Sequence, residues 1–331
     1  MNESRLFTIL PDYVCTPDSM EIDRRNGDLI VSCPNFADDS FKGCVIRIDK
    51  NRNITKWFDV PVEETTGLAR NMGIAFDDDY NIYLCDNVPW LGRPECDFKG
   101  RVLKITADEN GIRDWKVVAR GMEHPNGVKI RGNYMYVTQS YLTRIPGPDG
   151  RLVSGVYRFA LDDENIEVTN TLDDPNLFTT FVTENERCQY GADGIVFGAD
   201  GALYVGNYGD GMVHRITFAP DGSCASNERW AGDYDLMKST DGMILDEKTG
   251  DIYIADFNDN AVCRVTKEGK VSRIASSPDC TGLEGGLDQP CDVCIWEGKI
   301  IASCFDLVTD ETKVNTAHEM PATMAEVDIP F

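Results

Sequence analysis

Residues 191–216 read GADGIVFGADGALYVGNYGDGMVHRI, and this stretch contains one complete copy of a pattern that recurs along the chain. Asp193 precedes a short apolar run, IVF, and a turn rich in Gly and Asp follows it. Two further apolar runs, LYV and MVHRI, complete the unit. Short apolar runs separated by turn residues, without helical periodicity, are typical of β-strands joined by tight turns. This stretch therefore predicts three consecutive strands of one sheet.

The same unit occurs six times. Each copy opens with a residue just before its first apolar run, and the copies follow one another at intervals of roughly 50 residues, the range of β-propeller blades. The opening residues are Asp18, Asn71, Asn126, Asp193, Asp241 and Cys291. Six such units predict an all-β protein, a six-bladed β-propeller with four-stranded antiparallel blades around a central channel, as a single domain over residues 1–331.

Three segments lie outside the visible three-strand units. DWKVVAR (114–120) exemplifies the more variable fourth strand that we expect between the third strand and the next unit. SRLFTIL (4–10) precedes the first unit and could supply the outer strand of the sixth blade, which would close the ring and remove exposed sheet edges. Residues 162–187 form the longest insertion, which we interpret as a surface excursion that could act as a lid.

The chain is strongly acidic, with 56 Asp and Glu residues against 32 Lys and Arg and a formal net charge of −24. A field of this sign repels phosphate backbones and anionic membrane surfaces, so neither nucleic acid nor a membrane is expected as a partner. It attracts cations, although solubility alone would also account for it. The N-terminal sequence has no basic region followed by a long apolar run, so we expect no signal peptide and a cytoplasmic location.

The twelve cysteines are expected to be reduced. Several lie inside apolar strand-like runs, among them Cys33, Cys85 and Cys263. Buried free cysteine behaves as a small hydrophobe, and without a secretion signal disulfides are not favoured. Cys291 and Cys294 have CxxC spacing, but no second pair is suitably placed to complete a zinc site.

Residues at the same position of each repeat form a ring around the channel of a propeller. Five of the six opening residues carry side-chain oxygens, which makes them candidate metal ligands: Asp18, Asn71, Asn126, Asp193 and Asp241. Such oxygens are the ligands of a hard cation such as Ca²⁺, with Mg²⁺, Mn²⁺ or Zn²⁺ as alternatives. Any one Asn-Gly or Asp-Gly pair could simply begin a turn. A turn preference does not explain five oxygen ligands at one position, and clustered carboxylates would repel one another without a cation.

The stretches RNMGIAFDDDYNIYL, HPNGVKI and YGADGIVFGADGALYVGNYGDGMVHRI resemble the superfamily of gluconolactonase, senescence marker protein and luciferin-regenerating enzyme, closest to its diisopropylfluorophosphatase branch. The resemblance implies a catalytic Ca²⁺ held by one Glu, two Asn and one Asp. By motif, Asn71, Asn126 and Asp193 match the two Asn and the Asp. The Glu has no match: Asp18 replaces it by chain order, whereas counting blades backward points to residues 288–292. An alternative phase groups Asp18 with Asn126, Asp193 and Asp241.

The catalytic residues that we expect are Asp193 and His124. Asp193 could bind the metal and act as general base or nucleophile, and His124, next to the Pro-Asn pair, could hold a ligand in place or transfer a proton. His214 lies within a strand and is expected to be structural, and His318 belongs to a late loop that could reach the pocket or face solvent. Aromatic residues at the ends of second strands could line the substrate mouth or pack between blades: Trp90, Tyr141, Tyr208, Phe257 and Phe305.

The sequence favours a Ca²⁺-dependent hydrolase of a lactone or related ester that acts on a small-molecule substrate. There is no GxSxG motif or Ser-His-Asp pattern of a serine hydrolase, and no nucleotide-binding glycine motif. Two alternatives remain open: a lyase or isomerase on the same scaffold, and a binding propeller with a structural ion. The sequence specifies neither the substrate nor the oligomeric state.

Overall fold

The six repeats form six antiparallel sheets around a central channel, which confirms the predicted six-bladed β-propeller. This is a computed structural model, and it describes residues 2–309 and 313–330. In the first three blades, numbered from the inner strand outward, the strands are β2 (Met20–Asp23), β3 (Asp28–Cys33), β4 (Cys44–Ile48) and β5 (Ile54–Asp59); β6 (Asn71–Phe76), β7 (Ile82–Asp86), β8 (Gly100–Asp108) and β9 (Gly111–Met122); and β10 (Pro125–Arg131), β11 (Tyr134–Gln139), β12 (Val153–Ala160) and β14 (Leu177–Val182).

The other three blades follow the same order. Their strands are β15 (Ala192–Phe197), β16 (Leu203–Asn207), β17 (Met212–Phe218) and β18 (Cys224–Gly232); β19 (Met243–Leu245), β20 (Ile252–Asp256), β21 (Ala261–Val265) and β22 (Val271–Ser276); and β23 (Pro290–Trp296), β24 (Lys299–Cys304), β25 (Thr323–Asp328) and β1 (Ser4–Ile9). The described helices are short 3₁₀ turns: Val88–Leu91, Pro94–Cys96, Pro148–Gly150, Tyr208–Asp210 and Phe257–Asp259. None of them has the length or apolar character needed to cross a membrane.

The N-terminal strand closes the ring, as predicted. Strand β1 pairs antiparallel with β25, with Ser4 opposite Val327 and Ile9 opposite Thr323. Phe7 packs edge-on against Trp296 of the same blade, with ring centroids 5.6 Å apart. The first and last parts of the chain therefore share one sheet, which satisfies the edge of the sixth blade.

Each interface between neighbouring blades is filled by its own apolar cluster. In β3, for example, Leu29 and Val31 face the sixth blade, whereas Ile30 faces the second. Successive side chains of a strand point to opposite faces, so a strand packed on both sides is apolar throughout. This explains the continuous runs such as LIVSC and IYLC, and it accounts for the burial of most cysteines, all twelve of which are free thiols.

The interpretation of residues 162–187 as a surface excursion is wrong. The segment contributes β14, the outer strand of the third blade, which pairs with β12. It also contributes the two-residue strand β13 (Ile166–Glu167), which runs parallel to β9 and adds a fifth strand to the second blade. The insertion therefore bridges two blades, because the exposed edges of β12 and β9 both need a pairing partner.

Candidate active site

A cavity of about 770 Å³ opens at one end of the channel. All five aromatic residues that the sequence placed at the substrate mouth line it: Trp90, Tyr141, Tyr208, Phe257 and Phe305. Several of them also contact one another, since the Phe305 ring lies 5.9 Å from the rings of both Trp90 and Phe257. The walls are therefore largely apolar and aromatic, as in most small-molecule sites.

Short 3₁₀ turns carry three of these aromatic residues to the wall. Each turn follows the second strand of its blade, and the turns are Val88–Leu91, Tyr208–Asp210 and Phe257–Asp259. Gly211 ends the second of them with φ of 57°, and a Cβ atom there would lie 2.3 Å from the carbonyl oxygen of Met237. A glycine is required at this position, both for its backbone conformation and for the close approach of the next blade.

The floor of the cavity is built on the inner strands, where four blades carry glycine at one equivalent position: Gly73, Gly127, Gly194 and Gly242. These strands approach so closely that a Cβ atom on Gly194 would lie 2.0 Å from the carbonyl oxygen of Asp241. The residue before each of these glycines lines the cavity, and so does the equivalent residue of the first and of the sixth blade. We call these six residues the floor ring: Asp18, Met72, Asn126, Asp193, Asp241 and Cys291.

The structure does not bring Asn71 into this ring, which corrects its prediction as a ligand. Asn71 pairs with Asp86 at the strand position that Pro125 occupies opposite Gln139, one residue before the ring position. Its amide nitrogen donates to Ser32 Oγ at 2.7 Å and to the Cys44 carbonyl at 2.9 Å. Because a shift of one residue turns a strand side chain to the other face, Met72 reaches the cavity instead. Alignment of the repeats on their glycines would have revealed this.

Three residues of the floor ring are carboxylates, of which Asp18 and Asp193 are buried and Asp241 is partly buried. Burial raises the pKa of Asp18, Asp193 and Asp241 well above the usual value, and neighbouring carboxylates raise each of them further. Within residues 2–309 and 313–330, no Lys or Arg forms an ion pair with any of the three. Asn126 donates its amide to Asp193 Oδ2 at 2.8 Å, and the Gly242 amide donates to Asp241 Oδ1 at 2.9 Å. When these carboxylates are deprotonated, no basic side chain balances them, which favours a bound cation.

The chemistry of the donor set, which consists of carboxylate and amide oxygens, suits a hard divalent cation such as Ca²⁺. The carboxylates of Asp18, Asp193 and Asp241 do not all approach within 4.8 Å of one another. Oxygens on opposite sides of a Ca²⁺ ion stand roughly 5 Å apart, since each Ca–O distance is about 2.3–2.6 Å. Asn126 uses its nitrogen for Asp193, and among the described residues its Oδ1 accepts no hydrogen bond. Cys291 contributes no ligand, because burial raises the pKa of its thiol and it lies against the Pro17 carbonyl.

His124 stands in the cavity wall between two tyrosines. Its ring stacks on Tyr141 with centroids 4.7 Å apart and meets Tyr190 edge-on at 5.3 Å. Nδ1 contacts the side-chain amide of Asn87, which leaves Nε2 as the ring nitrogen available to a ligand. Burial lowers the pKa of His124 to about 3, so the imidazole is neutral near pH 7. Sequence reasoning missed Asn87, whose position directly after β7 is the signal that places it at this wall.

The other two histidines lie outside the cavity lining. His214 is buried in β17, as expected, where Nδ1 bonds to Asn227 Oδ1 at 2.8 Å. His318 is partly buried against Asp306, with 3.3 Å between Nδ1 and Oδ2. Neither His214 nor His318 therefore contacts a ligand bound above the floor ring.

Below the floor ring, charged side chains cross the channel. Asp292 occupies the position where four other blades have glycine, and it accepts hydrogen bonds from the Met20 amide at 2.7 Å and Ser19 Oγ at 3.2 Å. Lys129 of the third blade forms an ion pair with Glu21 of the first at 3.0 Å. Of the two candidates for the place of the missing Glu, Asp292 of the sixth blade lies beneath the ring, whereas Asp18 is one of the three carboxylates in it.

No family model and no curated protein matches the chain. Solved structures do match over nearly their whole length. A gluconolactonase from Xanthomonas campestris is 14% identical with a TM-score of 0.60, covering 100% of this chain and 96% of its own. The chain has the fold of the gluconolactonase-like propellers.

Two further similar structures belong to enzymes with other activities. A luciferin-regenerating enzyme is 11% identical with a TM-score of 0.64, covering 98% of this chain and 94% of its own. A virginiamycin B lyase from Staphylococcus aureus is 10% identical with a TM-score of 0.58, covering 99% of each chain. The gluconolactonase and the luciferin-regenerating enzyme match the superfamily that the sequence resembles. The resemblance to the diisopropylfluorophosphatase branch is not confirmed. At such identities the likeness establishes the fold alone.

Proposed function

We propose that the protein is a divalent-cation-dependent hydrolase of a lactone or related ester, with Ca²⁺ as its ion. One observation carries the proposal: Asp18, Asn126, Asp193 and Asp241 come from four different blades and meet at the floor of one aromatic cavity. Buried carboxylates without a counter-charge are costly, and a hard cation offsets that cost. The gluconolactonase and luciferin-regenerating enzyme among the similar structures support an enzyme of this class.

The chain's own residues would divide the work as follows. A bound divalent cation supplies Lewis-acid polarisation of a carbonyl oxygen. Asp193, whose Oδ2 accepts the Asn126 amide, would accept a proton from water or attack the carbonyl carbon. His124 presents Nε2 from the wall and can hydrogen-bond the leaving oxygen. The aromatic wall excludes water and binds the apolar part of a small-molecule substrate.

A lyase is the second candidate, favoured by the neutral imidazole of His124 at the cavity wall. Nδ1 accepts from the Asn87 amide, so Nε2 carries the imidazole proton and can protonate the leaving group of an elimination, while a floor carboxylate would remove the proton from the carbon next to the carbonyl. The virginiamycin B lyase among the similar structures has this fold. The two reactions differ in their atoms, because hydrolysis adds one oxygen from water to the product and elimination adds none.

The test uses the chelator-treated full chain, assayed on a simple aldonolactone and an aryl ester with and without added Ca²⁺. Elemental analysis of the untreated protein identifies the resident ion. We expect activity only with the ion, loss of activity in Asp193→Asn, and near-normal activity in Cys291→Ala, whose thiol shares the ring. Incorporation of ¹⁸O from labelled water separates hydrolysis from elimination. Full activity after complete metal removal would contradict the proposal.

A further inference from the structure

A second group of carboxylates lies away from the floor ring, on the sixth blade. Oxygen atoms of Asp288, Asp306 and Glu319 all lie within 4.8 Å of one another. Asp288 and Asp306 are buried, at 2% and 1% exposed, and Glu319 is partly buried. Asp288 lies just before β23, Asp306 follows β24, and Glu319 comes shortly before β25. Three loops of one blade thus converge on one point.

The charge of this group is only partly compensated. Burial, and then the neighbouring Asp306, raise the pKa of Asp288 to about 8. The Asn315 amide contacts the carboxylates of both Asp288 and Asp306, and the Glu319 backbone amide donates to Asp306 Oδ2 at 2.7 Å. His318 is the basic side chain beside Asp306, and in the described part of the chain no Lys or Arg pairs with these three acids. Deprotonation of all three acids would leave more negative charge than one histidine can balance, and a bound cation would offset it.

A buried hydroxyl faces the same place and has no hydrogen-bond partner. Thr323 is 1% exposed, and its Oγ1 forms no hydrogen bond, with only the weakly interacting Cys304 thiol beside it. A Cβ atom placed on Gly282 would lie 2.1 Å from Thr323 Oγ1 and 3.1 Å from Asp288 Oδ2, so the two oxygens are neighbours on the same side of Gly282. A buried polar atom without a partner is costly and calls for a ligand.

The segment between Asp306 and Glu319 borders the cavity. Thr309 and Lys313 both line the cavity. Lys313 Nζ lies 5.7 Å from the ring centres of both Tyr208 and Phe257. The carboxylate group therefore lies at the two ends of the stretch of chain that carries Thr309 and Lys313 to the cavity.

We propose that Asp288, Asp306, Glu319 and Thr323 form a second divalent-cation site, distinct from the floor ring, which clasps the ends of the 306–319 segment at the cavity mouth. Four oxygen donors, of which three are carboxylates, suit a hard cation such as Ca²⁺ that completes its shell with water. The clasp holds Thr309 and Lys313 in place at the mouth. It goes beyond the proposed hydrolase function, because it needs no reaction at the floor.

Calorimetric titration of the chelator-treated full chain with Ca²⁺ alone tests the clasp. We expect two ions per chain in the wild type and one each in Glu319→Gln and Asp193→Asn, which remove different sites. Glu268→Gln changes an exposed glutamate elsewhere and should leave two ions. Thr323→Val keeps the shape of the side chain and should weaken the second binding step about tenfold, a change of about 1.4 kcal/mol.

Limited proteolysis supplies a readout independent of stoichiometry. Ca²⁺ should protect the 306–319 segment in the wild type and in Asp193→Asn, but not in Glu319→Gln, provided that circular dichroism shows each variant folded. Unchanged stoichiometry and unchanged protection in Glu319→Gln would overturn the clasp. Loss of an ion in Glu319→Gln but not in Asp193→Asn would support the clasp while contradicting the ion at the floor.

Discussion

Asn126 donates its side-chain amide to Asp193 Oδ2 at 2.8 Å, across the boundary between the third and fourth blades. The contact joins neighbouring positions of the floor ring and fixes the amide so that its oxygen is left for another partner. The hydrogen bond from a neutral amide offsets part of the desolvation cost of a buried carboxylate without adding charge. The geometry of the ring thus depends on pairs of blades, and several variants separate its ligands from its supports.

Asn126→Ala and Asn71→Ala should have opposite signatures. Loss of Asn126 removes a ring oxygen and should weaken Ca²⁺ binding at the floor about tenfold or more, with a modest effect on stability. Loss of Asn71 leaves the buried Ser32 hydroxyl and Cys44 carbonyl without its donor, which should cost about 1–3 kcal/mol of unfolding free energy with Ca²⁺ affinity unchanged. Calorimetry and urea unfolding measure the two quantities. Weakened Ca²⁺ binding in Asn71→Ala would restore the ligand set first predicted from the repeat.

After chelator treatment, Asp193→Asn should be more stable than the wild type. In saturating Ca²⁺ it should be less stable than the wild type. Without the ion, the substitution removes one of the three clustered carboxylates of the floor ring, and burial raises the pKa of Asp193 in the folded state, so its charged form opposes folding at neutral pH. With ligand at 100 times its dissociation constant, the wild type gains about 2.7 kcal/mol that the variant lacks. Melting temperatures in EDTA and in Ca²⁺ measure the crossover. A lower melting temperature of the variant in both buffers would show that Asp193 serves packing alone.

The chelator-treated wild type should lose stability as the pH rises from about 4 to about 8. Burial raises the pKa of Asp292 to about 6 and, with Asp306, that of Asp288 to about 8. Raised carboxyl pKa values mean that the folded state holds more protons than the unfolded state in this window. The stabilisation from these protons is therefore fully present below the carboxyl pKa of the unfolded chain, and it is lost as the pH rises through the pKa values of the folded state.

Urea unfolding at pH 5 and pH 8 in EDTA measures this slope. Saturating Ca²⁺ should flatten or reverse it, because the ion binds the deprotonated carboxylates and competes with protons. Equal slopes with and without the ion would mean that no cation binds among these groups.

His124→Gln should lower the turnover number about 10²–10⁴-fold while Ca²⁺ binding stays within threefold. The imidazole of His124 lies in the cavity wall, where Asn87 contacts Nδ1 and Tyr141 stacks on it, and it is not part of the floor ring. Nε2 is the nitrogen that is left for a ligand. His214→Gln is the matched control, since His214 is also buried but lies in β17 away from the cavity lining. Steady-state kinetics and calorimetry provide the two readouts. Normal turnover in His124→Gln would remove His124 from the reaction.

Which residues face the cavity could be predicted from sequence as far as the repeat could be aligned, whereas their roles as ligands or catalytic groups stay predictions. Asp18, Asn126, Asp193 and Asp241 lie in the floor ring, and the five aromatic residues at the ends of second strands line the cavity above it. Asn71 failed because two adjacent residues, Asn71 and Met72, both precede the apolar run, and only the strand register decides which of them faces the channel. The groups that support the site could not be read from the repeat. Asn87, Lys129 and Asp292 act on partners more than 30 residues away in the chain.

The sequence by itself determined the number of blades, the positions of their strands and the oxygen-rich character of the channel, because these features are local patterns repeated along the chain. Tertiary structure alone decided which of two neighbouring side chains enters the cavity, since that depends on pairing between strands. It also turned residues 162–187 from an apparent excursion into β13 and β14, and it assembled Asp288, Asp306, Glu319 and Thr323 from separate loops. Contacts between distant segments leave no local periodicity, so they exist only once the ring has closed.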